Sequence, residues 1–198
     1  MRVGELALQG DVREHEAILR GLGADPVQIR LPSDLDAIDA LVLPGGESTT
    51  ISMLLDSSGL RPDLSKWIAD DRPTLGTCAG LVLLAEELTD GRADQEGLGG
   101  LDVTVQRNGY GRQRFSFEAV VDAPLLGDPV ESIFIRAPRI VRVGAGVTAL
   151  GRLSDEEGEV VCCQQGRIIG CAYHPELAGD PRLHRRLVKL AEGVQVAG

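Results

Sequence analysis

The chain has 198 residues, a hydrophobic fraction of 43%, a charged fraction of 25% and a net charge of −10. This length predicts one domain over residues 1–198 with a substantial core, filled mainly by aliphatic side chains because aromatics make up only 3%. The acidic balance argues against binding nucleic-acid phosphates or anionic membranes, and no apolar run approaches the roughly 18 residues needed to span a bilayer.

The opening Met1–Asp11 segment turns acidic too early for a signal peptide. Cys78, Cys162, Cys163 and Cys171 match neither a disulfide framework nor a Cys-x-x-Cys zinc site. Free thiols in the cytoplasm are expected.

In chain order, Val3–Leu8 reads as a strand. Asp11–Leu22 reads as a helix with Val12, Ile18, Leu19 and Leu22 on its apolar face and Gly23 as its stop. Pro26–Arg30 and Ala40–Leu43 are the next strands, the latter running into Pro44-Gly45-Gly46. Ser48–Leu55 and Leu64–Ala69 read as helices, Thr74–Gly76 as the strand feeding Cys78, and Ala79–Leu88 as the helix after it. Strands alternating with helices predict an α/β fold, a mostly parallel sheet covered on both faces.

The second half changes character. Leu101–Gln106, Phe115–Val121, Ser132–Arg136, Ile140–Val143, Thr148–Leu153, Val160–Gln164 and Arg167–Ala172 are short, β-branched and punctuated by Gly, Pro and Asp. They predict an antiparallel extension of the main sheet, closed by a helix from Pro181 to about Glu192. The basic residues of that helix suit a solvated face near a helix end.

Sites in open α/β sheets form at the carboxyl ends of the strands. The turn at Gln9-Gly10, the Pro44–Thr50 loop and the Cys78 turn should therefore converge. His174 and Glu176, just past another apolar run, reach the same edge.

Gly76-Thr77-Cys78-Ala79-Gly80 has the form of a nucleophile elbow with Cys in place of Ser. Read alone, Cys78 is equally a small filler between strand and helix. Tyr173-His174-Pro175-Glu176 changes the balance. Pro175 biases His174 towards extended backbone, which sets a carboxylate beside the imidazole. Thiol, base and orienting carboxylate are the parts of a cysteine acyl-transfer site.

Pro44–Thr50 lacks the Gly-Lys-Ser/Thr ending of a phosphate loop. It is either a plain turn into a Ser- or Thr-capped helix or a loop whose amides face an oxyanion. In the second reading Gly46 and Ala79 supply the donors, each worth roughly 10²–10³ in rate. Cys162, Cys163 and Cys171 read as fillers. A metal site at His174 fits no common ligand spacing. His15 and His184, among charged residues on helices, read as solvated. Among Arg107, Arg136 and Arg139, one facing the cleft would suit a substrate carboxylate.

With these residues assembled, the chain resembles the class I, triad-type glutamine amidotransferases. Within them it is similar to the glutaminase-subunit family of pyridoxal 5'-phosphate synthase. The elbow and the His-x-Glu ending carry the class. Leu8-Gln9-Gly10, Val12-Arg13-Glu14-His15, Gly45-Gly46-Glu47-Ser48-Thr49-Thr50, Arg107-Asn108, Gly111-Arg112-Gln113, Ser116-Phe117-Glu118-Ala119 and Phe134-Ile135-Arg136-Ala137-Pro138 carry the family.

The resemblance implies a flavodoxin-like three-layer fold and hydrolysis of glutamine to glutamate and ammonia through a glutamyl thioester on Cys78. His174 would shuttle protons, Glu176 would orient it, and Gly46, Glu47, Ser48, Arg107, Ile135 and Arg136 would bind glutamine. It implies no cofactor. The partner would be a (β/α)₈-barrel synthase subunit, which takes the ammonia in a hetero-oligomer and completes the oxyanion hole on docking, near Gln9-Gly10 and the following helix.

Three other readings stay open on residues alone. One is a glutaminase serving another synthase. Another is a cysteine hydrolase or chaperone on a similar sheet, disfavoured because such proteins usually carry His directly after the elbow Cys, where this chain has Ala79. The last is an inactive scaffold.

Overall fold

The computed structural model describes residues 1–90, 96–110, 116–127, 129–155 and 157–194. The Gly111-Arg112-Gln113 segment and most of the acidic stretch 90–96 lie outside them. The elements are β1 (Arg2–Leu6), α1 (Val12–Gly21), β2 (Asp25–Ile29), β3 (Ala40–Leu43), α2 (Ser48–Ser57), α3 (Arg61–Ala69), β4 (Thr74–Thr77), α4 (Ala79–Leu84) and β5 (Ala85–Leu88). They continue with β6 (Leu101–Gln106), β7 (Ser116–Asp122), β8 (Val130–Ile135), β9 (Arg139–Val143), β10 (Thr148–Leu153), β11 (Val160–Gln165), β12 (Ile168–Cys171) and α5 (Arg182–Ala191).

Nine strands form the main sheet in the order β2-β1-β3-β4-β12-β11-β10-β7-β8. The first five are parallel, and from β12 outward every pairing is antiparallel. The hydrophobic patterns explain the division. β3, β4 and β12 are buried along their whole length, as strands covered on both faces must be. β7 and β8 alternate, as strands with one wet face do.

The switch from leftward to rightward winding falls between β1 and β3. The Gln9 turn and the Pro44–Gly46 loop leave the sheet there, at its carboxyl edge. β4 pairs with β12 in parallel, Thr77 opposite Cys171. Chain segments almost a hundred residues apart thus end side by side, with Cys78 on one and His174 just beyond the other.

The expected helix over Ala79–Leu88 is half right. α4 stops at Leu84, Ala85 turns to extended backbone at φ −67° and ψ 139°, and Ala85–Leu88 pairs with β6. Ala-Glu-Glu-Leu favours a helix locally, but tertiary pairing overrides that preference. A second, three-stranded sheet, β5-β6-β9, results. The sequence pattern places Leu101–Gln106 and Ile140–Val143 in an extension of the main sheet, whereas they pair with each other and β6 pairs with β5.

Four of the six aromatics in the sequence gather into one cluster. Phe117 stacks on Phe134 at 4.6 Å with planes 2° apart, Tyr110 meets both edge-on, and Tyr173 tilts against Phe134 at 5.7 Å. Tyr173 precedes His174 and Phe134 precedes Ile135, so this packing fixes two strand ends that reach the site. Rings so arranged contribute about 0.5–1.5 kcal/mol per pair beyond area burial.

Glu5 is anomalous. It is buried on β1, and neither carboxylate oxygen has a hydrogen-bond partner. Burial, then repulsion from Glu16, raises its pKa to about 8 despite the opposing charge of Arg20. The folded state therefore holds a proton that the unfolded chain releases near pH 4.5. This contribution to stability is complete below that pH and is lost as pH rises towards 8. Glu5→Gln should flatten the decline between pH 5 and pH 8 by more than about 1 kcal/mol, the worth of a one-unit shift. Urea unfolding of parent and variant at both pH values checks this, and parallel pH profiles would contradict it.

Candidate active site

The elbow is built by close approach. A Cβ on Gly76 would lie 2.7 Å from the Gly80 carbonyl, and one on Gly80 would collide with the Leu43 carbonyl. Only glycine lets α4 start this near β3 and β4. Between them Cys78 sits at φ 47° and ψ −100°, a conformation costing a non-glycine residue on the order of 1–3 kcal/mol. The Cys78 N–H donates to the Cys171 carbonyl at 2.9 Å, and Val82 N–H donates to the Cys78 carbonyl at 3.2 Å. The sheet and the helix thus hold the strained residue from both sides. The Cys78 sulfur points towards the Ile135 carbonyl, 3.9 Å away.

His174 is fixed through its backbone as well as its ring. Its N–H donates to the Ile133 carbonyl of β8 at 2.9 Å, tying His174 to the last strand of the sheet. Nδ1 bonds to Glu176 Oε1 at 2.6 Å, which leaves Nε2 for the Cys78 thiol, its other hydrogen-bond partner. Burial alone would lower the His174 pKa, but the bonds and charges of Cys78 and Glu176 reverse this and lift it to about 10. Burial pushes the Glu176 carboxyl up, and the bond from His174 opposes it. Asp11 Oδ2 stands 3.7 Å from His174 Nδ1 at the rim.

Gly46, Glu47, Ser48, Cys78, Ala79, Arg107, Ile135, Arg136 and His174 all line one cavity of about 390 Å³. Of the expected site residues, Glu176 alone lies behind it, screened by His174. A larger open groove of about 910 Å³ runs between the β7–β8 edge and the start of α5, but no cysteine or histidine lines it.

The loop after β3 is held by the Gln9 side chain, so the Gln9-Gly10 turn and the Pro44–Thr50 loop converge as expected. Glu47 N–H donates to Gln9 Oε1 at 2.8 Å, and a Cβ on Gly46 would come within 2.5 Å of that oxygen. A Cβ on Gly45 would collide with the His174 ring.

The cap of α2 is Glu47, not a Ser or Thr. Its carboxylate accepts from Thr49 N–H at 3.1 Å, Thr50 N–H at 2.7 Å and the Thr50 hydroxyl at 2.6 Å. Burial alone would raise the Glu47 pKa, but the Thr50 and Thr49 donors overcome it and hold the group at about 2. Arg107 reaches Glu47 at 3.1 Å, and its own N–H is anchored by Asp90 at 2.6 Å. Arg136, exposed at the rim, has φ 44°. Arg139 pairs with Glu157 and Glu159 away from the cavity.

His15 and His184 are not solvated. Both rings are fully buried, and His15 Nδ1 meets His184 Nε2 at 2.8 Å. The pattern held the signal. His15 is four residues before Leu19 and His184 three before Leu187, so each shares its helix's apolar face.

Among the described residues, Asp11, His174 and Glu176 bring one ligand-capable atom each within 4.8 Å of the others. Two of these, His174 and Glu176, are already bonded to each other. No helix among the described residues is long and apolar enough to cross a membrane.

The model of the SNO glutamine amidotransferase family matches residues 5–192. The chain belongs to that family. The protein named pyridoxal 5'-phosphate synthase subunit PdxT from Salinispora tropica is 51% identical over 185 residues, covering 92% of each chain. Its namesake from Clavibacter michiganensis is 49% identical over 191 residues, covering 96% of this chain and 90% of the other. A solved structure described as a glutamine amidotransferase superposes with a TM-score of 0.88 at 42% identity over 96% of this chain and 98% of the other. The PurLQS structure from Thermotoga maritima shares the fold alone, with a TM-score of 0.71 at 14% identity over 96% of this chain and 98% of the other. The family and these neighbours agree with the α/β, mostly parallel architecture read from the sequence.

The other three thiols are completely buried, whereas Cys78 lines the cavity. Burial raises the pKa of Cys163 to about 12 and also pushes the Cys162 and Cys171 thiols up. Iodoacetamide at pH 7.5 (about neutral, where only a thiolate reacts) should therefore alkylate Cys78 first in the native protein. Peptide mass mapping checks this, and equal labelling of Cys162 or Cys163 would refute it.

Proposed function

We propose that this chain is the glutaminase subunit of a pyridoxal 5'-phosphate synthase. It hydrolyses L-glutamine to L-glutamate and ammonia and delivers the ammonia for vitamin B6 biosynthesis. The observation that carries this reading is the Cys78–His174–Glu176 alignment at the edge of a cavity sized for a small amino acid.

The Cys78 thiolate attacks the side-chain amide carbon of glutamine. The tetrahedral oxyanion is met by the amides of Gly46 and Ala79, the latter among the unpaired N–H groups of the first turn of α4. His174 gives its Nε2 proton to the departing nitrogen, ammonia leaves, and a glutamyl thioester remains on Cys78. His174 then takes a proton from water as that water attacks the thioester. The second tetrahedral intermediate expels the Cys78 thiolate, and glutamate is released. Glu176 keeps Nδ1 of His174 protonated through both halves.

Arg136 at the rim, and Arg107 behind it, suit the α-carboxylate of the substrate. The Ile135 carbonyl and the polar groups of Gly46, Glu47 and Ser48 suit the rest of its head group.

The ammonia acceptor is a separate synthase subunit. By family resemblance it is a (β/α)₈ barrel that forms a hetero-oligomer with this chain in the cytoplasm. The Gly45–Gly46 peptide supports control by docking. Its carbonyl is held by Asp11 N–H at 3.4 Å, a long bond that resists rotation weakly. Docking beside Gln9-Gly10 is positioned to turn that peptide and complete the oxyanion hole.

Glutamate release from glutamine should rise strongly when the synthase subunit is added. High activity of the chain alone with no response would instead favour a free-standing hydrolase. Cys78→Ala should abolish hydrolysis yet still bind the synthase, and persistent hydrolysis would remove Cys78 from the chemistry. Ammonium salts should let the synthase make product without this chain, and failure of that bypass would count against ammonia delivery.

A further inference from the structure

Behind the triad lies a second layer of imidazoles that the mechanism above does not use. Glu176 is buried, and its Oε1 is bonded to His174, while Oε2 has no hydrogen-bond partner. The nearest ionisable nitrogen beyond His174 is Nε2 of His15, 3.6 Å from Oε2, with both side chains fully inaccessible. The Thr77 hydroxyl meets the same nitrogen at 3.3 Å. On its other side, His15 Nδ1 meets His184 Nε2 at 2.8 Å, the rings tilted by 48° with centroids 5.0 Å apart.

Each ring comes from a different helix, His15 from α1 and His184 from α5, and the two meet beneath the strand end that carries Cys78. A buried carboxylate oxygen left without a donor is costly to keep charged, and His15 Nε2 stands 3.6 Å from Oε2.

We propose that His15, braced by His184, is a positioning residue that donates its Nε2 proton to Glu176 Oε2 and so keeps Glu176 ionised and aimed at His174.

This assignment sets the proton order. If His15 Nε2 carries a proton towards a carboxylate, its Nδ1 is bare and accepts from His184 Nε2–H. Both imidazoles must then be neutral. Burial, then the nearness of the His184 and His174 rings, lowers the His15 pKa well below its ordinary value. Burial takes His184 to about 4 against the pull of Asp180. Glu176 is otherwise faced by His174 and Asp11 from the cleft side and by Cys171 from β12. None of these offers Oε2 a proton in the described structure.

The inference rests on the glutaminase reading, and its test separates the two. Glutamine hydrolysis is measured in the complex with the synthase subunit for the parent, His15→Leu and His15→Gln, across pH. An inactive parent sinks the glutaminase reading itself.

With an active parent, His15→Leu should lower kcat about 10–100-fold, the usual effect of losing the group that orients a catalytic ligand, and leave KM for glutamine nearly unchanged. The acid limb of kcat/KM should move to higher pH, because Glu176 without its donor protonates more readily. His15→Gln, whose amide nitrogen reaches the place of Nε2, should recover most of the rate and the parental limb. Equal losses in both variants, or an unmoved acid limb, would reduce His15 to packing. If the Leu variant does not fold, nitrogen-15 histidine spectra of the parent decide. A neutral His15 protonated at Nε2 is expected, and a proton on Nδ1 with Nε2 bare would overturn the assignment.

Discussion

The parallel pairing of β4 with β12 is the constraint on which the site depends. It sets Thr77 opposite Cys171, and the next residue, Cys78, donates its N–H across to the Cys171 carbonyl at 2.9 Å. Cys78 and His174 then leave adjacent strands at the same edge, one residue past the pairing for Cys78 and three for His174. No loop has to span the separation, so the geometry comes from the sheet. A rigid scaffold is what a reaction limited by angstrom-scale alignment needs.

That alignment is held against several costs. Cys78 is strained, His174 and Glu176 are buried, and three glycines give up side chains so that backbones and rings can meet. Each cost is met by a neighbour with a different main role. The β8 strand bonds the His174 backbone, the aromatic cluster clamps the strand ends bearing Ile135 and Tyr173, and Gln9 holds the loop at Glu47. The raised pKa of His174 has a consequence for stability too. Its contribution is complete below pH 6.5, the unfolded value, and fades as pH rises towards about 10.

The parts of the site were legible wherever chemistry shows in local spacing. Gly76-x-Cys78-x-Gly80 and His174-Pro175-Glu176 announce themselves within a few residues, and the buried runs at Ala40–Leu43 and Thr74–Thr77 mark central parallel strands. What depends on long-range pairing did not show. Ala85–Leu88 reads as helix until β6 is known to lie beside it. Leu101–Gln106 has the same composition whether it joins the main sheet or the small one. His15 and His184 read as solvated because charged neighbours on two amphipathic helices outweigh the shared period with Leu19 and Leu187, yet both are buried. Gln9 and Asp90 act only through backbone groups distant in sequence.

The tie between His174 and β8 bears on biosynthesis of the chain itself. A nascent chain that has emerged as far as β4 already carries Cys78 at its elbow, yet the imidazole and its carboxylate come almost a hundred residues later. They settle only once β7, β8 and β12 have found their places. Fragments ending before β12 contain Cys78 with neither His174 nor Glu176 beside it, so the arrangement exists only in a chain synthesised past Glu176.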